Sequence, residues 1–258
     1  MEKNKAMLYT RIRPGDIGRY VIVPGSVERA RLIAAHFDHA EELVQHREFL
    51  TFVGELDGER VSVTSTGIGT PSTAIAVEEC AYCGADTFLR IGSCASASPL
   101  SRKGDVLIPR GAVRMEGTAD HLLPVEFPAV PDFEMFKALT DAAEKFGYRY
   151  NTGVTIEKDS FYTEASPETK PVYPLLKYQW EAYIASGATQ TSMESSLLFI
   201  LGAYRRLRTA TVQICATNFN DYSNDDADYP RDWEQRAIEV GIEGLRLLIR
   251  RDRERAEK

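Results

Sequence analysis

Arg60-Val-Ser-Val-Thr-Ser-Thr-Gly67-Ile-Gly69-Thr-Pro71-Ser-Thr-Ala-Ile-Ala-Val-Glu-Glu-Cys80 changes character halfway along. The β-branched run Arg60–Thr66 predicts a strand, the alanine-rich run Pro71–Cys83 a helix, and two glycines separate them. The pattern recurs at Val21-Ile-Val-Pro-Gly25-Ser26-Val-Glu-Arg29 and at Leu89-Arg90-Ile-Gly92-Ser93-Cys94-Ala95-Ser96. Three strands, each running through a glycine turn toward a helix, predict an α/β protein with a parallel or mixed sheet.

Working outward, further strands are expected at Tyr20–Val23, Glu48–Leu56, Thr87–Ile91, Asp105–Ile108, Gly153–Ile156 and Thr209–Ala216. Helices are expected at Ser26–His36, Asp132–Phe146, Leu175–Ser186, Ser195–Tyr204 and Asp232–Arg250. Asp57-Gly58 reads as a hairpin turn. The polar run Asn220–Arg231 reads as a surface flap, and RRDRERAEK as a solvated, fraying end. No linker or repeat divides the 258 residues, so one domain is expected over 1–258, with an N-terminal arm at about 1–10 and a charged tail at 251–258.

Composition narrows the function. Net charge is −7, which argues against a nucleic-acid partner but not against a small anion held by a few arginines. No apolar run is long enough to span a membrane, and the first residues lack a secretion signal, so the expected location is cytoplasmic. Four cysteines are too few for a disulfide scaffold. Cys80 and Cys83 close a helix instead of opening one, so they read as small buried residues rather than a redox pair. The four histidines show no ligand spacing, and no metal is expected.

The glycine turns carry the first chemical signal. Glycine lets backbone amides approach a ligand, and a helix N-terminus favours an anion. Arg29 and Arg90 sit in two of these turns, Arg90 within an apolar strand, where a guanidinium needs an anionic partner. That partner is either a structural carboxylate or a bound oxyanion. Glu194, at the start of the apolar helix SSLLFIL, is either a helix cap or an acceptor for sugar hydroxyls.

RPGDIGRYVIVPGSVERA, HREFLTFVGELDGERVSVTSTGIGTPSTAIAVEE, ADTFLRIGS, GDVLI, RMEGTADHLLPVEFPAVPDFE, DSFY and MESSLLF resemble, together, the hexameric nucleoside phosphorylase family, and within it the uridine phosphorylases. The resemblance runs from about Arg11 to Leu248. It implies a three-layer α/β fold, its mixed central sheet partly closed into a barrel and flanked by helices. It also implies a homo-hexamer of dimers with sites shared across the dimer interface. The implied reaction is phosphate-dependent, reversible cleavage of a nucleoside to free base and (deoxy)ribose 1-phosphate. Inorganic phosphate is the co-substrate, and no cofactor is implied.

Residue by residue, the resemblance puts Gly25, Arg29, Arg90 and Ser93 on phosphate, with Arg47 reaching in from a neighbouring subunit. It puts Met193 and Glu194 on the ribose, and Phe161 against the base or sugar. Arg90 and Glu194 are the implied catalytic pair. Several positions depart from the pattern. Gly25-Ser26-Val27 stands for Gly-Asp-Pro, Ala95 for a glycine, and Ser192 for a glutamate. Tyr9 is nearest to a missing N-terminal histidine. In the base pocket Glu164 stands near a glutamine position, no arginine follows it, and Phe219 falls where a second arginine is expected. Loss of one such donor costs ~10²–10³ in rate. Altered base recognition is therefore expected, with Glu164 suiting guanine- or cytosine-like edges and Asn218 available to a purine. A non-catalytic nucleoside- or phosphate-binding relative and a hydrolytic nucleosidase are the alternatives. The retained arginines argue against the hydrolase.

Overall fold

The computed structural model describes residues 5–99, 101–218 and 231–257. The chain opens with β1 (Tyr20–Ile22), α1 (Val27–Ala34), and an antiparallel run of β2 (Asp38–His46), β3 (Phe49–Leu56) and β4 (Glu59–Thr64). The β3–β4 turn is the expected Asp57-Gly58, both in the left-handed region at φ 52° and 73°. After α2 (Thr70–Tyr82) come β5 (Thr87–Ser96), β6 (Val106–Leu107), β7 (Gly111–Met115), α3 (Phe133–Phe146), β8 (Tyr150–Asn151) and β9 (Val154–Lys158). The last part holds α4 (Tyr162–Ala165), α5 (Tyr173–Ala185), β10 (Ala188–Ser192), α6 (Ser195–Arg205), β11 (Arg208–Asn218) and α7 (Arg231–Ala256).

All the strands join one mixed sheet that branches at β5. Along one edge, the first residues of β5 pair in parallel with β1, and its last residues pair antiparallel with β10. Along the other edge β11 follows it in parallel for its whole length. From β1 the sheet continues to β4, β3 and β2, and from β10 to β9 and β7. The named strand pairs leave a gap between β8 and β9, but Ile108 and Arg110 donate to the Asn151 and Gly153 carbonyls at 3.0 and 2.9 Å there, so the two arms of the branch at β5 come together, in keeping with a partly closed sheet. The branch matters because β1 and β10 diverge from the same edge of β5. A crevice opens between them opposite Arg90–Cys94, where sheets of this kind hold ligands.

Both faces of the central strands are covered, which gives three layers. Tyr20 and Ile22 of β1 face a core with Leu89, Ile91, Ala210, Val212 and Ile214, covered by α1, α3 and α7. Val21, Val23 and Phe88 face the other way, onto Leu197–Leu201 of α6 and Val77 and Cys80 of α2. The two-residue alternation of side chains thus feeds two cores. Burying each large side chain contributes about 1.5–3 kcal/mol.

Two expectations are corrected. The third glycine segment is not a turn: β5 runs straight through Gly92 to Ser96, because β11 pairs with it throughout, so Ala95 lies in a strand opposite Thr191 and Thr217. The charged end is not a fraying tail either. Helix α7 continues to Ala256, and Arg251, Asp252, Arg253 and Arg255 pair with Asp141, Arg208, Glu59 and Glu134. The N-terminal arm is docked from Met7, with Thr10 fully buried and its backbone N–H on Glu79 at 2.7 Å. Cys80 and Cys83 are buried, and burial pushes their thiols up to about 12 and about 11. The predicted flap at Asn220–Arg231 lies outside the described residues except for Arg231, which opens α7.

Candidate active site

Arg90 leaves the middle of β5 and is 5% exposed. Its Nη2 is ion-paired with Glu194 at the start of α6. Its Nη1 is buried with no hydrogen-bond partner among the described residues. That nitrogen lies over Gly92, where a Cβ would fall 1.6 Å from it, so only glycine leaves room for the guanidinium. An unsatisfied buried donor on a charged group is costly, and it points at a missing anion.

Glu194 is not a cap for its own helix. Its other oxygen accepts from the backbone N–H of Gly69 at 2.8 Å, across the chain in the second glycine turn. Gly69 has φ +88°, a conformation that favours glycine. The capping task falls to Glu157 at the end of β9. Its Oε2 accepts from the Ser195 N–H at 2.8 Å, and both of its oxygens accept from Ser192 Oγ at 3.0 Å. Glu157 is fully buried, and desolvation raises its carboxyl above the usual range against the hydrogen bond from Thr155. Neighbouring β10 in register, Glu157 fixes the segment that delivers Glu194.

The remaining expected anion ligands sit on other parts of the fold. Gly25 follows β1, and Ser26 caps α1 by accepting from the Arg29 N–H at 3.1 Å. The Arg29 guanidinium is held by Glu234 of α7. Ser93 is half-buried in β5. Arg47 stands apart in the exposed β2–β3 turn, its guanidinium 5.7 Å from the Tyr9 ring centroid. Tyr9 in turn is fixed by Glu79 at its N–H (3.0 Å) and by His46 Nδ1 at its carbonyl (2.7 Å). The two residues expected to serve a neighbouring subunit thus share one surface patch. Met193 is half-buried beside Glu194.

The expected base residues separate. Glu164 lines a cavity of about 600 Å³ beside β9, walled by Met115, Ile156, Tyr173, Leu176, Trp180 and Tyr183. Phe161 is 54% exposed, lies edge-on to Tyr162 and does not contribute to the wall. Asn218 donates to the Ser101 carbonyl, away from that wall. Phe219 lies outside the described residues.

Lys158, which the sequence reading missed, stands in the cavity wall ion-paired to Glu164, and burial lowers its ammonium to about 8 against the pull of Glu157 and Glu194. Glu157 was missed too, and Gly92 was read as a turn glycine, not as room for the Arg90 guanidinium. The available signal was Glu157-Lys158, two opposite charges ending the otherwise apolar strand Val154-Thr-Ile156. Asp159 ties the cavity wall to the second glycine turn. It lines the cavity and accepts from Thr70 Oγ1 at 2.9 Å, one residue beyond the Gly69 that holds Glu194. Among the described residues no group of three His, Cys, Asp or Glu side chains converges as metal ligands do, and no helix is long and apolar enough to cross a membrane.

A branched α/β sheet with a buried, half-satisfied arginine at its crevice defines a class, and comparison with known proteins gives its name. Residues 19–248 match the phosphorylase superfamily, and the chain belongs to it. It is 44% identical over 241 residues to a uridine phosphorylase of Treponema pallidum, covering 93% of both chains. It is 40% identical to a uridine phosphorylase of Thermococcus kodakarensis, over 94% of this chain and 87% of that one. It is also 30% identical to a guanosine phosphorylase of Halorubrum lacusprofundi, over 92% of this chain and 97% of that one.

Proposed function

We propose that this chain is a nucleoside phosphorylase, a pentosyltransferase that cleaves an N-glycosidic bond reversibly with inorganic phosphate as co-substrate. It releases free base and (deoxy)ribose 1-phosphate and needs no cofactor. The observation that carries this reading is the Arg90 guanidinium, which holds Glu194 with one nitrogen and keeps the other buried and unpartnered. Phosphate accepts from that nitrogen and from the amides and hydroxyls around Gly25 and Ser93. Arg29 turns from Glu234 to join it, and Arg47 arrives from a second subunit. Glu194 accepts from the ribose hydroxyls, with Met193 packed beside the sugar.

As the bond to the base lengthens, the sugar becomes an oxocarbenium ion. The anion held beneath it stabilises that charge and then attacks the anomeric carbon. The electron pair of the broken bond leaves on the base. Preorganised Arg90 and Glu194 need little rearrangement, which is where such a site gains its rate.

The exposed Tyr9–Arg47 patch supports an oligomer, in family terms a hexamer of dimers, in which Tyr9 stands for the missing histidine. The proposed setting is the cytoplasm. For the base, the relatives are named for a pyrimidine and a purine nucleoside, and both of those bases carry a ring N–H beside a carbonyl. Recognition here differs in using Glu164, which is already paired with Lys158, and Phe161 lies near enough in the chain to close on a bound base. Base release from a nucleoside panel, with and without phosphate, tests the activity. Release that needs phosphate and yields pentose 1-phosphate supports it. Release into free pentose would favour a hydrolase, and no release from any nucleoside would favour a binding protein.

A further inference from the structure

The reaction as derived gives no task to Lys158, at the end of β9. Lys158 and Glu164 are ion-paired with side chains 10% and 8% exposed, and Thr191 joins them: its hydroxyl receives from Lys158 Nζ and donates to Glu164 Oε2 at 2.8 Å. A buried ion pair is a weak source of stability, since apolar residues of similar size do as well or better. Glu164 sits on a helix of four residues, none of them buried as a whole, so the pair does not complete a packed core there. What it does face is the cavity of about 600 Å³, whose other walls include apolar and aromatic side chains such as Ile156, Leu176 and Trp180, with Asp159, Glu168 and Lys177 also on the lining. A few polar groups on an apolar pocket wall are the usual means of orienting a ligand. A hydrogen bond ties the cavity wall at Asp159 to Thr70, the residue after the Gly69 that holds Glu194.

The two groups have opposite and fixed hydrogen-bonding roles. An ammonium only donates, and a carboxylate only accepts. Side by side they match a base edge that offers a carbonyl next to a ring N–H. We propose that Lys158 and Glu164 read the base as a unit, opening around a lactam edge so that Lys158 donates to the carbonyl and Glu164 accepts the N–H. The Thr191 hydroxyl positions both. This rests on the phosphorolysis reading above and gives its base class: oxo-bases, whether purine or pyrimidine. Held by its glycosidic bond in the same orientation, an amino-base turns an NH₂ donor toward the ammonium and a ring nitrogen lone pair toward the carboxylate, so it is rejected. During cleavage, negative charge moves onto the base and collects at the carbonyl oxygen beside Lys158, where a cation stabilises it most.

The test uses the full chain and the variants Lys158→Met, Lys158→Arg and Glu164→Gln. Initial rates are measured with excess phosphate on inosine, guanosine, uridine, adenosine and cytidine. The expected wild-type kcat/KM favours the three oxo-nucleosides by ~10² or more over the two amino-nucleosides. Lys158→Met loses ~10²-fold on the oxo-nucleosides only, with KM for phosphate within about threefold of wild type, and Lys158→Arg recovers part of that loss. Thermal unfolding of each variant separates these effects from misfolding. Phosphate-dependent release that is undiminished in Lys158→Met, or a wild-type preference for adenosine or cytidine, overturns the proposal and leaves phosphorolysis standing. Should wild type release no base at all, phosphorolysis falls, and free-base binding decides the proposal instead. Uracil and hypoxanthine are then expected to raise the Tm of wild type but not of Lys158→Met, while adenine raises neither. Equal shifts in both proteins overturn it.

Discussion

Substituting Arg90 by lysine separates what this residue does for the fold from what it does for phosphate. The guanidinium divides its work: Nη2 neutralises Glu194, and Nη1 waits over Gly92. Lysine keeps a cation to face Glu194 but has no planar fork, so it cannot serve two acceptors in fixed directions. Removing the charge altogether, as in Arg90→Met, leaves Glu194 buried with only the Gly69 N–H, a loss of about 3–5 kcal/mol in folding. Arg90→Lys avoids most of that and is expected to cost about 1 kcal/mol, the worth of one hydrogen bond. Its catalytic cost is larger. One preorganised donor to a developing anion is worth ~10²–10³ in rate, about 2.7–4 kcal/mol of the barrier. The assay pairs urea unfolding with phosphate-dependent base release at varied phosphate. The expected result is near-wild-type unfolding with kcat/KM for phosphate down by that factor. Wild-type phosphate kinetics in Arg90→Lys would refute the assignment of Nη1 to the anion. A rate loss that merely tracks lost folded protein would refute it equally.

Other predictions follow from the same contacts. Glu157→Ala strips the acceptor from the Ser195 N–H and the Ser192 hydroxyl; differential scanning calorimetry is expected to show about 1–3 kcal/mol of lost stability, with nucleoside KM rising more than phosphate KM. Glu234→Gln frees Arg29 from its carboxylate and is expected to lower the KM for phosphate several-fold, whereas a raised KM would show that Glu234 positions Arg29 for the anion. Asp252 ties α7 to β1 and β11 through Tyr20 and Arg208. Burial works to raise its carboxyl, but the hydrogen bonds from Arg208 and Tyr20 outweigh it and hold the group below the usual carboxylate range. A carboxyl lowered on folding stabilises above its unfolded value of 3.8 and loses that contribution as pH falls through the lower folded value. Asp252→Asn should therefore cost about 1–2 kcal/mol at pH 7, with the gap closing below pH ~3.8 in chemical unfolding series.

The central layers were legible because both faces of the parallel strands are buried, so Tyr20–Ile22 is apolar throughout and Thr209–Cys215 is rich in β-branched residues, with Ala210, Val212 and Ile214 alternating with buried Thr209, Thr211 and Gln213. Strand β2 was not legible, for the opposite reason. Asp38–Glu42 are exposed and acidic, and only pairing with β3 holds them extended. β10 hides likewise, since Ala188-Thr-Gln-Thr-Ser192 has the composition of a loop and becomes a strand by bridging β5 and β9. That omission cost most at the site, because β10 carries both Thr191 and the approach to Glu194. Arg90 and Glu194 could be singled out as charges beside apolar runs, but their contact spans 104 positions and local pattern does not encode it. The Glu157-Lys158 signal was easy to pass over because a charge at a strand end normally marks the start of a solvated loop. The C-terminal helix was cut short because its last turns are charged all round, and their ion-pair partners lie on other elements.

The most direct test of the account is the phosphate requirement of base release by the intact wild-type chain. Inosine, guanosine and uridine are incubated with enzyme in phosphate-free buffer and again with saturating phosphate, and both base and sugar products are quantified. The account predicts release only with phosphate and one pentose 1-phosphate for each base freed. Equal release without phosphate, yielding free pentose, would contradict it.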